Sequence, residues 1–232
     1  MKVKLLRYTA DSELLCGAAA SATIKSGRPS EILEQMDEET AKHKIRQVTG
    51  YGHASVIEHA SFTFSVEEVS RSMTHQLVRH RIASYTQQSQ RYVKYDTIEK
   101  YVTPPSIAGK TEAKRAFDET LERISEVYQQ LLKMRIPKED ARFILPNAAK
   151  TNIIVTMNAR ELRHFFNLRC CARAQWEIRE VATEMLRQAK KAAPALFEDS
   201  GPSCVELGHC PEGKMKPPEC GVREIRTRFR SL

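Results

Sequence analysis

Three residues with cationic or titratable side chains, Arg79, His80 and Arg81, precede a polar segment that ends at Arg91. Guanidinium groups bind phosphate and imide groups through paired hydrogen bonds, and Ser89 and the neighbouring glutamines add neutral donors and acceptors. This segment could therefore cradle a phosphate or another planar anion. The alternative is structural, because basic residues at the end of a helix stabilise its dipole and its unpaired carbonyl groups. The residues alone leave both interpretations open.

A second polar group lies in residues 158–169, where Arg160, His164 and Leu168 follow each other at intervals of four. Residues at this spacing form one line along a helix. The aromatic and aliphatic residues of the same segment occupy more than one face, which predicts burial on more than one side. A polar line on such a helix is typical of a lined cleft or a subunit interface, and simple exposure to solvent is the alternative.

Two histidines, His53 and His59, flank Ser55 and Glu58 shortly before a predicted strand. The spacing of the histidines does not bring two imidazoles together on a metal ion. A loop in which Ser55 and Glu58 bind a ligand is one interpretation. The structural alternative is a capping box, in which the serine begins a helix and the glutamate three residues later completes the cap.

Three cysteines near the C-terminus, Cys204, Cys210 and Cys220, lack the Cys-x2-4-Cys spacing of structural zinc sites, so no metal site is predicted. An oligomer with zinc on these thiols is kept as a separate hypothesis, which stoichiometric metal in the purified chain would support. Adjacent Cys170 and Cys171 do not suit a disulfide. The chain also lacks a P-loop, a Gly-x-Gly-x-x-Gly turn and a Gly-x-Ser-x-Gly turn, which argues against the reaction classes that use them.

The elements that must position these residues follow from hydrophobic periodicity. Strict alternation over residues 61–66 predicts a strand, and the spacing of Val69, Met73 and Leu77 predicts a helix that reaches about Arg81. Residues 84–90 are predicted as a loop, residues 111–134 as the longest helix, and residues 153–157 as a buried strand. The pattern indicates a single α+β domain, in which a small antiparallel or mixed sheet is covered by several helices.

Composition sets outer limits on the function. The 232 residues carry a formal charge of +8, with 41% hydrophobic and 28% charged residues, values that exclude a disordered or collagen-like chain. Neither a bilayer-spanning run nor a signal peptide is recognisable, so a soluble, cytoplasmic protein without a membrane partner is expected. The six cysteines are then expected to be thiols or metal ligands. The basic excess predicts an anionic partner, such as a nucleic acid, a nucleotide or an anionic cofactor.

The segment Arg79-His80-Arg81, followed after seven residues by Ser89 and then by Arg91, resembles the signature of the flavin-dependent thymidylate synthases, the ThyX family. Residues 52–59 resemble the family's flavin-side loop. Residues 158–160, 167–169 and 174–178 resemble its second signature. The resemblance spans about residues 1–200, which would form the catalytic domain, and residues 201–232 are predicted as a loop-like tail rich in glycine, proline and cysteine.

The resemblance implies a methyltransferase that converts dUMP to dTMP. The family uses FAD as cofactor, methylenetetrahydrofolate as carbon donor and NADPH as hydride source, and it forms a homotetramer with active sites shared between subunits. The residues implied for the cofactor are His53, Ser55, Glu58, Arg79, His80, Arg81, Gln87, Asn158, Arg160 and His164. The residues implied for dUMP are Gln76, Arg79, Gln87, Gln88, Ser89, Gln90, Arg91, Arg142 and Arg169.

Arg169 and Ser89 are the catalytic candidates. An arginine against the N3 and O4 edge of uracil would favour loss of the N3 proton and so activate C5 as a nucleophile. For Ser89 the sequence favours a binding role, because no general base is evidently paired with it. The chain departs from the family pattern at Thr86, where asparagine is usual, and at Gln87, where glutamate is frequent. A glutamine keeps a hydrogen-bond donor and acceptor at this position but lacks the negative charge of the carboxylate.

A competing hypothesis from another class is a basic nucleic-acid-binding domain without enzymatic activity. In that case residues 79–91 and the arginines of residues 223–230 would contact phosphates. Aromatic residues make up only 7% of the chain, and no recognised RNA- or DNA-binding pattern is present. The enzyme is therefore the preferred interpretation, and the absence of a nucleic-acid partner is expected.

Overall fold

The computed structural model describes residues 1–93, 100–218 and 220–232. Four strands form one antiparallel sheet in the order β1-β2-β4-β3. The strands are β1 (Lys2–Tyr8), β2 (Ser61–Ser70), β3 (Ala83–Gln87) and β4 (Lys150–Asn158). The helices are α1 (Ser12–Ala22), α2 (Pro29–Glu34), α3 (Glu38–Gly50), α4 (Arg71–Leu77), α5 (Pro105–Ala108), α6 (Thr111–Lys133), α7 (Lys138–Ala141), α8 (Ala159–Arg169), α9 (Trp176–Ala192), α10 (Pro194–Phe197), α11 (Ser203–Leu207) and α12 (Val222–Arg230). The predicted α+β class is confirmed.

Strand β2 shows why the alternating pattern was informative. Its apolar residues Phe62 and Phe64 are fully buried, whereas the hydroxyl residues between them are only partly buried. On the hydroxyl face, Thr63 Oγ1 and Thr156 Oγ1 of β4 lie 2.9 Å apart and share a hydrogen bond. A period of two places alternate side chains on opposite faces of a sheet, so one face enters the core and the other remains partly polar.

The structure corrects the prediction for residues 67–90. The strand β2 continues to Ser70, whose Oγ accepts a hydrogen bond from Met73 N at 3.0 Å and so caps α4. Helix α4 therefore begins two residues later than the spacing suggested and ends at Leu77. The segment predicted as a loop contains strand β3, which lies at one edge of the sheet. Polar residues are acceptable on an edge strand, because one of its sides has no neighbouring strand.

The chain contains two compact units, and each of the four strands contributes residues to both. The first comprises residues 1–2, 66–79 and 86–153, and the second residues 3–65, 80–85 and 154–232. In the first unit, α6 buries Leu121 and Tyr128 in a cluster with Tyr101 and two small residues. In the second unit, Phe197 packs edge-on against Phe62 and Phe166, with ring centroids 5.2 and 6.0 Å apart.

The C-terminal residues 201–232 are not the loop that was predicted. They contain α11, a 3-10 turn at Gly213–Met215 and α12, and they belong to the second unit. Phe229 of α12 is only 3% exposed, and Lys190 Nζ of α9 donates a hydrogen bond to its carbonyl oxygen. Glycine and proline residues lie at the ends of these short helices and do not prevent their formation. None of the helices in the described ranges is both long and apolar enough to cross a membrane.

Candidate functional site

The imidazole of His80 lies at the centre of a buried polar network in the second unit. Its side chain is almost fully enclosed, with the residue 4% exposed. Nε2 accepts a hydrogen bond from Arg169 Nε at 3.1 Å, and Nδ1 lies 3.3 Å from Glu161 Oε1. An arginine Nε can only donate, so Nε2 must be the unprotonated ring nitrogen. The Nδ1 proton is therefore directed at Glu161, and the three side chains form one ordered chain of hydrogen bonds.

Burial sets the protonation of this network. Desolvation, followed by the charges of Arg169 and His164, lowers the pKa of His80 to about 4. The imidazole is therefore neutral at neutral pH, and its contact with Glu161 is a hydrogen bond and not an ion pair. Desolvation also raises the pKa of Glu161 and lowers that of Arg169. Each of the three groups is thus shifted toward its neutral form by the same physical cause.

Local structure explains how these side chains meet. The side chain of Asn158 accepts a hydrogen bond from Glu161 N at 2.9 Å and so starts α8 directly at the end of β4. Glu161 then lies in the first turn of α8 and Arg169 is its last residue. Tyr85 Oη donates to the carbonyl oxygen of His80 at 2.8 Å, which holds the backbone of that residue.

Aromatic rings complete the surroundings of His80. The rings of His164 and Phe165 meet it edge-on, with centroid distances of 5.7 and 5.0 Å. Phe165 is fully buried, whereas His164 is exposed. The line predicted along α8 consists of Arg160, His164 and Leu168, and all three residues are exposed, so this line lies on the surface of the second unit.

Several residues predicted for the cofactor are exposed side chains of the second unit, namely His53, Ser55, Arg81 and His164. Arg160 Nη1 is 2.5 Å from Glu58 Oε1, and this ion pair joins α8 to the 3-10 turn at Ala54–His59. The capping box suggested for Ser55 and Glu58 is wrong, since the turn begins at Ala54 and Glu58 pairs with arginine instead.

In the first unit, Glu139 of α7 contacts two of the arginines predicted for dUMP. Arg91 Nη2 is 2.7 Å from Glu139 Oε2, and Arg142 Nε donates to the carbonyl oxygen of the same residue at 3.1 Å. Lys138 Nζ donates to the carbonyl oxygen of Tyr92 at 3.1 Å. Three cationic side chains from two separated stretches are thereby held close to α7, which suits binding of a phosphate.

The polar residues that precede Arg91 are partly used inside the first unit. Gln87 Nε2 donates to Thr74 Oγ1 at 2.9 Å and to Thr151 Oγ1 at 3.4 Å, and both threonines are buried. The amide nitrogen of Gln87 is thus occupied by the protein itself. Gln88 Oε1 accepts from Asn152 Nδ2 at 3.5 Å.

Ser89 lies in a turn of the first unit. Its Oγ accepts a hydrogen bond from Arg91 N at 3.2 Å, and its carbonyl oxygen accepts from Val93 N at 3.1 Å. In the part of the chain that the structure describes, no histidine or carboxylate is hydrogen-bonded to Ser89 Oγ. Among these described residues, no paired base is positioned to activate this hydroxyl group as a nucleophile.

The predicted site residues are divided between the two units. The first unit holds Gln76, Arg79, Gln87, Gln88, Ser89, Gln90, Arg91 and Arg142. The second unit holds His53, Ser55, Glu58, His80, Arg81, Asn158, Arg160, His164 and Arg169. Most residues predicted for dUMP thus belong to one unit and most residues predicted for the cofactor to the other.

Sequence reasoning missed Glu161, Tyr85, Glu139 and Lys138. Glu161 and Tyr85 have no distinguishing local pattern, because a glutamate in the first turn of a helix is ordinarily exposed. Here it is only 7% exposed, a consequence of where α8 packs. Glu139 and Lys138 carried a weak signal, since they start the short helix that precedes Arg142.

Two of the four arginines of α12, which the nucleic-acid hypothesis needs on phosphates, form polar contacts within the second unit. Arg226 Nε donates to the carbonyl oxygen of Val205 at 3.2 Å, and Arg230 Nη2 is 2.8 Å from Asp199 Oδ1. The structure thus gives the basic tail an intramolecular role in packing.

Comparison with known proteins gives one consistent result. The family model described as "Thymidylate synthase complementing protein" matches residues 4–195. The flavin-dependent thymidylate synthase of Geobacter sulfurreducens is 47% identical over 235 residues, covering 100% of this chain and 99% of the relative. The enzymes of that name from Clostridium tetani and Pyrococcus abyssi are 47% and 44% identical, covering 95% and 100% of this chain and 93% and 98% of their own lengths.

A solved structure shares the fold. The flavin-dependent thymidylate synthase ThyX of Helicobacter pylori, crystallised in complex with FAD and dUMP, superposes with a TM-score of 0.71. It is 24% identical, and the match covers 87% of this chain and 100% of that one. These findings do not support the nucleic-acid-binding alternative, and they confirm the resemblance noted from the signature residues. The chain belongs to the family of flavin-dependent thymidylate synthases.

Proposed function

We propose that this protein converts dUMP to dTMP by reductive methylation, with FAD as cofactor, methylenetetrahydrofolate as carbon donor and NADPH as hydride source. Full-length relatives at 43–47% identity that bear the name of this activity support the proposal. The structural observation that carries it is the hydrogen bond from Arg169 Nε to neutral His80. It fixes a partly buried guanidinium group, which is the group that activation of uracil requires.

The residues of the second unit fit an anionic dinucleotide. Arg81, His53, Ser55 and His164 present cationic or hydrogen-bonding side chains at its surface, where packing alone would not require them. Such donors match a pyrophosphate and the polar edge of an isoalloxazine ring. When bound, FAD would supply the hydride that reduces the transferred carbon, with NADPH as its source.

Arg169 would stabilise negative charge on the uracil ring. A guanidinium group held at the N3 and O4 edge favours loss of the N3 proton, and the resulting anion directs electron density to C5. His80 supports this role in two ways. It orients the plane of the guanidinium by accepting from Nε, and as a neutral ring it adds no positive charge that would compete for the anion.

Arg91, Arg142 and Lys138 would bind the phosphate of dUMP. Their common attachment to α7 and the turn at Ser89 holds the cationic groups near each other before the ligand arrives, which reduces the entropic cost of binding. Ser89 would contribute a hydrogen bond to the nucleotide, consistent with the absence of a base among its described partners. Gln87 would contribute less to ligand binding than its position in the signature suggests, because its amide nitrogen is already bonded to two threonines.

We include in the proposal a homotetramer with active sites shared between subunits, and a cytoplasmic location. The support for both is the family resemblance. Sedimentation of the purified protein, with and without FAD, measures the oligomeric state directly. A monomer that turns over dUMP would contradict the shared site.

An absorption spectrum tests the central proposal. The purified protein, reconstituted with FAD, should show flavin bands that bleach under anaerobic NADPH. Addition of dUMP and methylenetetrahydrofolate should then yield dTMP, measured by chromatography. A protein that binds no flavin, or that oxidises NADPH without producing dTMP from dUMP, would overturn the proposal.

A further inference from the structure

Four cysteines from separate parts of the second unit line one cavity of about 360 Å³. Cys171 follows the end of α8, Cys204 lies in α11, Cys210 follows α11, and Cys220 precedes α12. Cys204 and Cys220 are buried, while Cys171 and Cys210 are half-buried. Two of the four cysteines that line the cavity are thus enclosed and two are partly accessible to solvent.

The thiols are near enough to influence each other. Burial raises the pKa of Cys204, and Cys220, Cys171 and Cys210 raise it further. Cys171, Cys204 and Cys210 are free thiols. In the described ranges, no three histidine, cysteine or carboxylate side chains are already arranged as ligands around a metal ion. The four sulfur-bearing side chains therefore surround a space without closing on a common centre.

This arrangement is unusual for cysteines that only pack. Isolated buried cysteines, such as the fully buried Cys16 of α1, behave as small apolar residues. Four thiols around one cavity instead supply the donor set of tetrathiolate metal sites, in which the metal draws its ligands to about 2.3 Å.

The charges around the cavity suit such a centre. Four thiolates carry more negative charge than a divalent metal ion offsets, so cationic neighbours are favourable. The guanidinium-bearing residues Arg169 and Arg173 line the same cavity. Arg173 also forms an ion pair with Glu212, another lining residue, which holds it beside the cavity.

We propose that Cys171, Cys204, Cys210 and Cys220 form a tetrathiolate site for a thiophilic metal, either Zn²⁺ or the iron of an iron–sulfur cluster. Metal binding would close the four side chains on one centre and release their thiol protons to solvent. Because Cys171 lies two residues after Arg169, the site would tie residues 204–220 to the end of α8. It would act as a structural centre beside the proposed active site.

Metal analysis of the full-length protein tests this inference. Protein purified from medium supplemented with zinc and iron should contain about one zinc per chain, or iron with a matching amount of acid-labile sulfide. These two results distinguish the two forms of the site. Replacing the metal with Co²⁺ after chelation should produce thiolate-to-cobalt charge-transfer absorption in the near ultraviolet.

Variants identify the ligands. Cys171→Ser and Cys210→Ser change the two half-buried positions, where folding is least at risk, and each should weaken metal binding by about tenfold or more. Cys170→Ser is the matched control, because it is adjacent to Cys171 but does not line the cavity, and it should retain the metal. Flavin absorption and far-ultraviolet circular dichroism verify that each variant is folded.

The inference is overturned if the folded protein contains neither metal and its chelated form binds neither Zn²⁺ nor Co²⁺. It is equally overturned if Cys171→Ser and Cys210→Ser retain as much metal as Cys170→Ser. Because metal content is measured independently of turnover, these results stand whether or not dTMP is produced.

Discussion

At the scale of single residues, the neutral state of His80 determines what Arg169 can do. A buried guanidinium group needs an acceptor, and a protonated imidazole would offer none and would repel it. The hydrogen bond from His80 Nδ1 to Glu161 selects the tautomer that leaves Nε2 as an acceptor. Glu161 is therefore a positioning residue in this proposal, since it acts on Arg169 only through His80.

Replacing Arg169 should separate catalysis from cofactor binding. We expect Arg169→Ala to reduce turnover by about 10²- to 10³-fold, the usual cost of losing one group that stabilises developing charge. The dissociation constant for FAD, measured by fluorescence quenching, should change much less. Arg169→Lys is the control that keeps the charge but loses the planar fork. Equal losses of turnover and FAD affinity in Arg169→Ala would indicate a structural residue instead.

The lowered pKa of His80 predicts a dependence of stability on pH. Between about pH 6.5 and pH 4 the unfolded chain binds a proton at His80 that the folded chain does not bind. The effect of His80 on the free energy of unfolding is therefore absent above about pH 6.5, and it lowers that free energy progressively as the pH falls through this window. The raised pKa of Glu161 increases stability as the pH falls and so acts in the opposite direction, but Glu161 is present both in the wild type and in the His80→Asn variant.

Urea unfolding of the flavin-free protein at pH 7 and pH 5 measures this effect. The loss of stability on acidification should be smaller in His80→Asn than in the wild type. His43→Asn removes an exposed histidine of α3 and should leave the pH dependence unchanged. If His80→Asn shows the same loss as the wild type, the imidazole is not kept neutral by the fold.

At the scale of elements, the close approach of α1 and α3 depends on a single glycine. A Cβ atom on Gly17 would lie 2.6 Å from Ala41 Cα, closer than real Cβ contacts occur. Both residues are buried, so neither helix can relieve the clash by rotating a side chain. The absence of a side chain at Gly17 therefore sets the distance between these helices.

Gly17→Ala should destabilise the protein by about 1–3 kcal/mol, the range for overpacked cores. Thermal or urea unfolding followed by circular dichroism measures the change. Gly50→Ala is the matched control, because it also lies in a helix but a Cβ there would meet nothing within 4 Å. That variant should be neutral or more stable by up to about 1 kcal/mol. Equal stability of the two variants would show that the helices separate without cost.

At the scale of the whole molecule, the C-terminal residues are part of the second unit's core. Phe229 contributes a buried aromatic ring, and Gly201 lies directly against it, since a Cβ there would come within 3.1 Å of its ring. The tail also supplies three of the four cysteines of the proposed metal site. Truncation of this segment is therefore expected to affect far more than a surface loop.

Phe229→Ala should lower the free energy of unfolding by about 3–5 kcal/mol, as expected for a buried phenylalanine. Phe143→Ala removes the same side chain at a position that is 83% exposed and should change the stability by less than about 0.5 kcal/mol. Urea denaturation of both variants provides the comparison. A loss as small for Phe229 as for Phe143 would mean that α12 does not contribute to the cooperative fold.

Local patterns in the sequence were sufficient to predict those helices and strands that bury one face. The alternation in residues 61–66 and the helical stripe of residues 111–134 each predicted an element that the structure contains, because burial imposes a period of two or 3.6 on the chain itself. The segment from Arg79 to Arg91 was also sufficient to indicate the family, since its residue types and their spacing are specific.

The tertiary structure alone decided which distant residues meet. Strand β3 has a polar sequence and exists through pairing at the sheet edge, and the tail helices exist through docking around Phe229. The burial of Glu161 beside His80 depends on where α8 packs, and Cys171 precedes Cys204 by 33 positions, beyond any local spacing rule. Periodicity records only which side of an element is buried, whereas these contacts depend on which other element buries it.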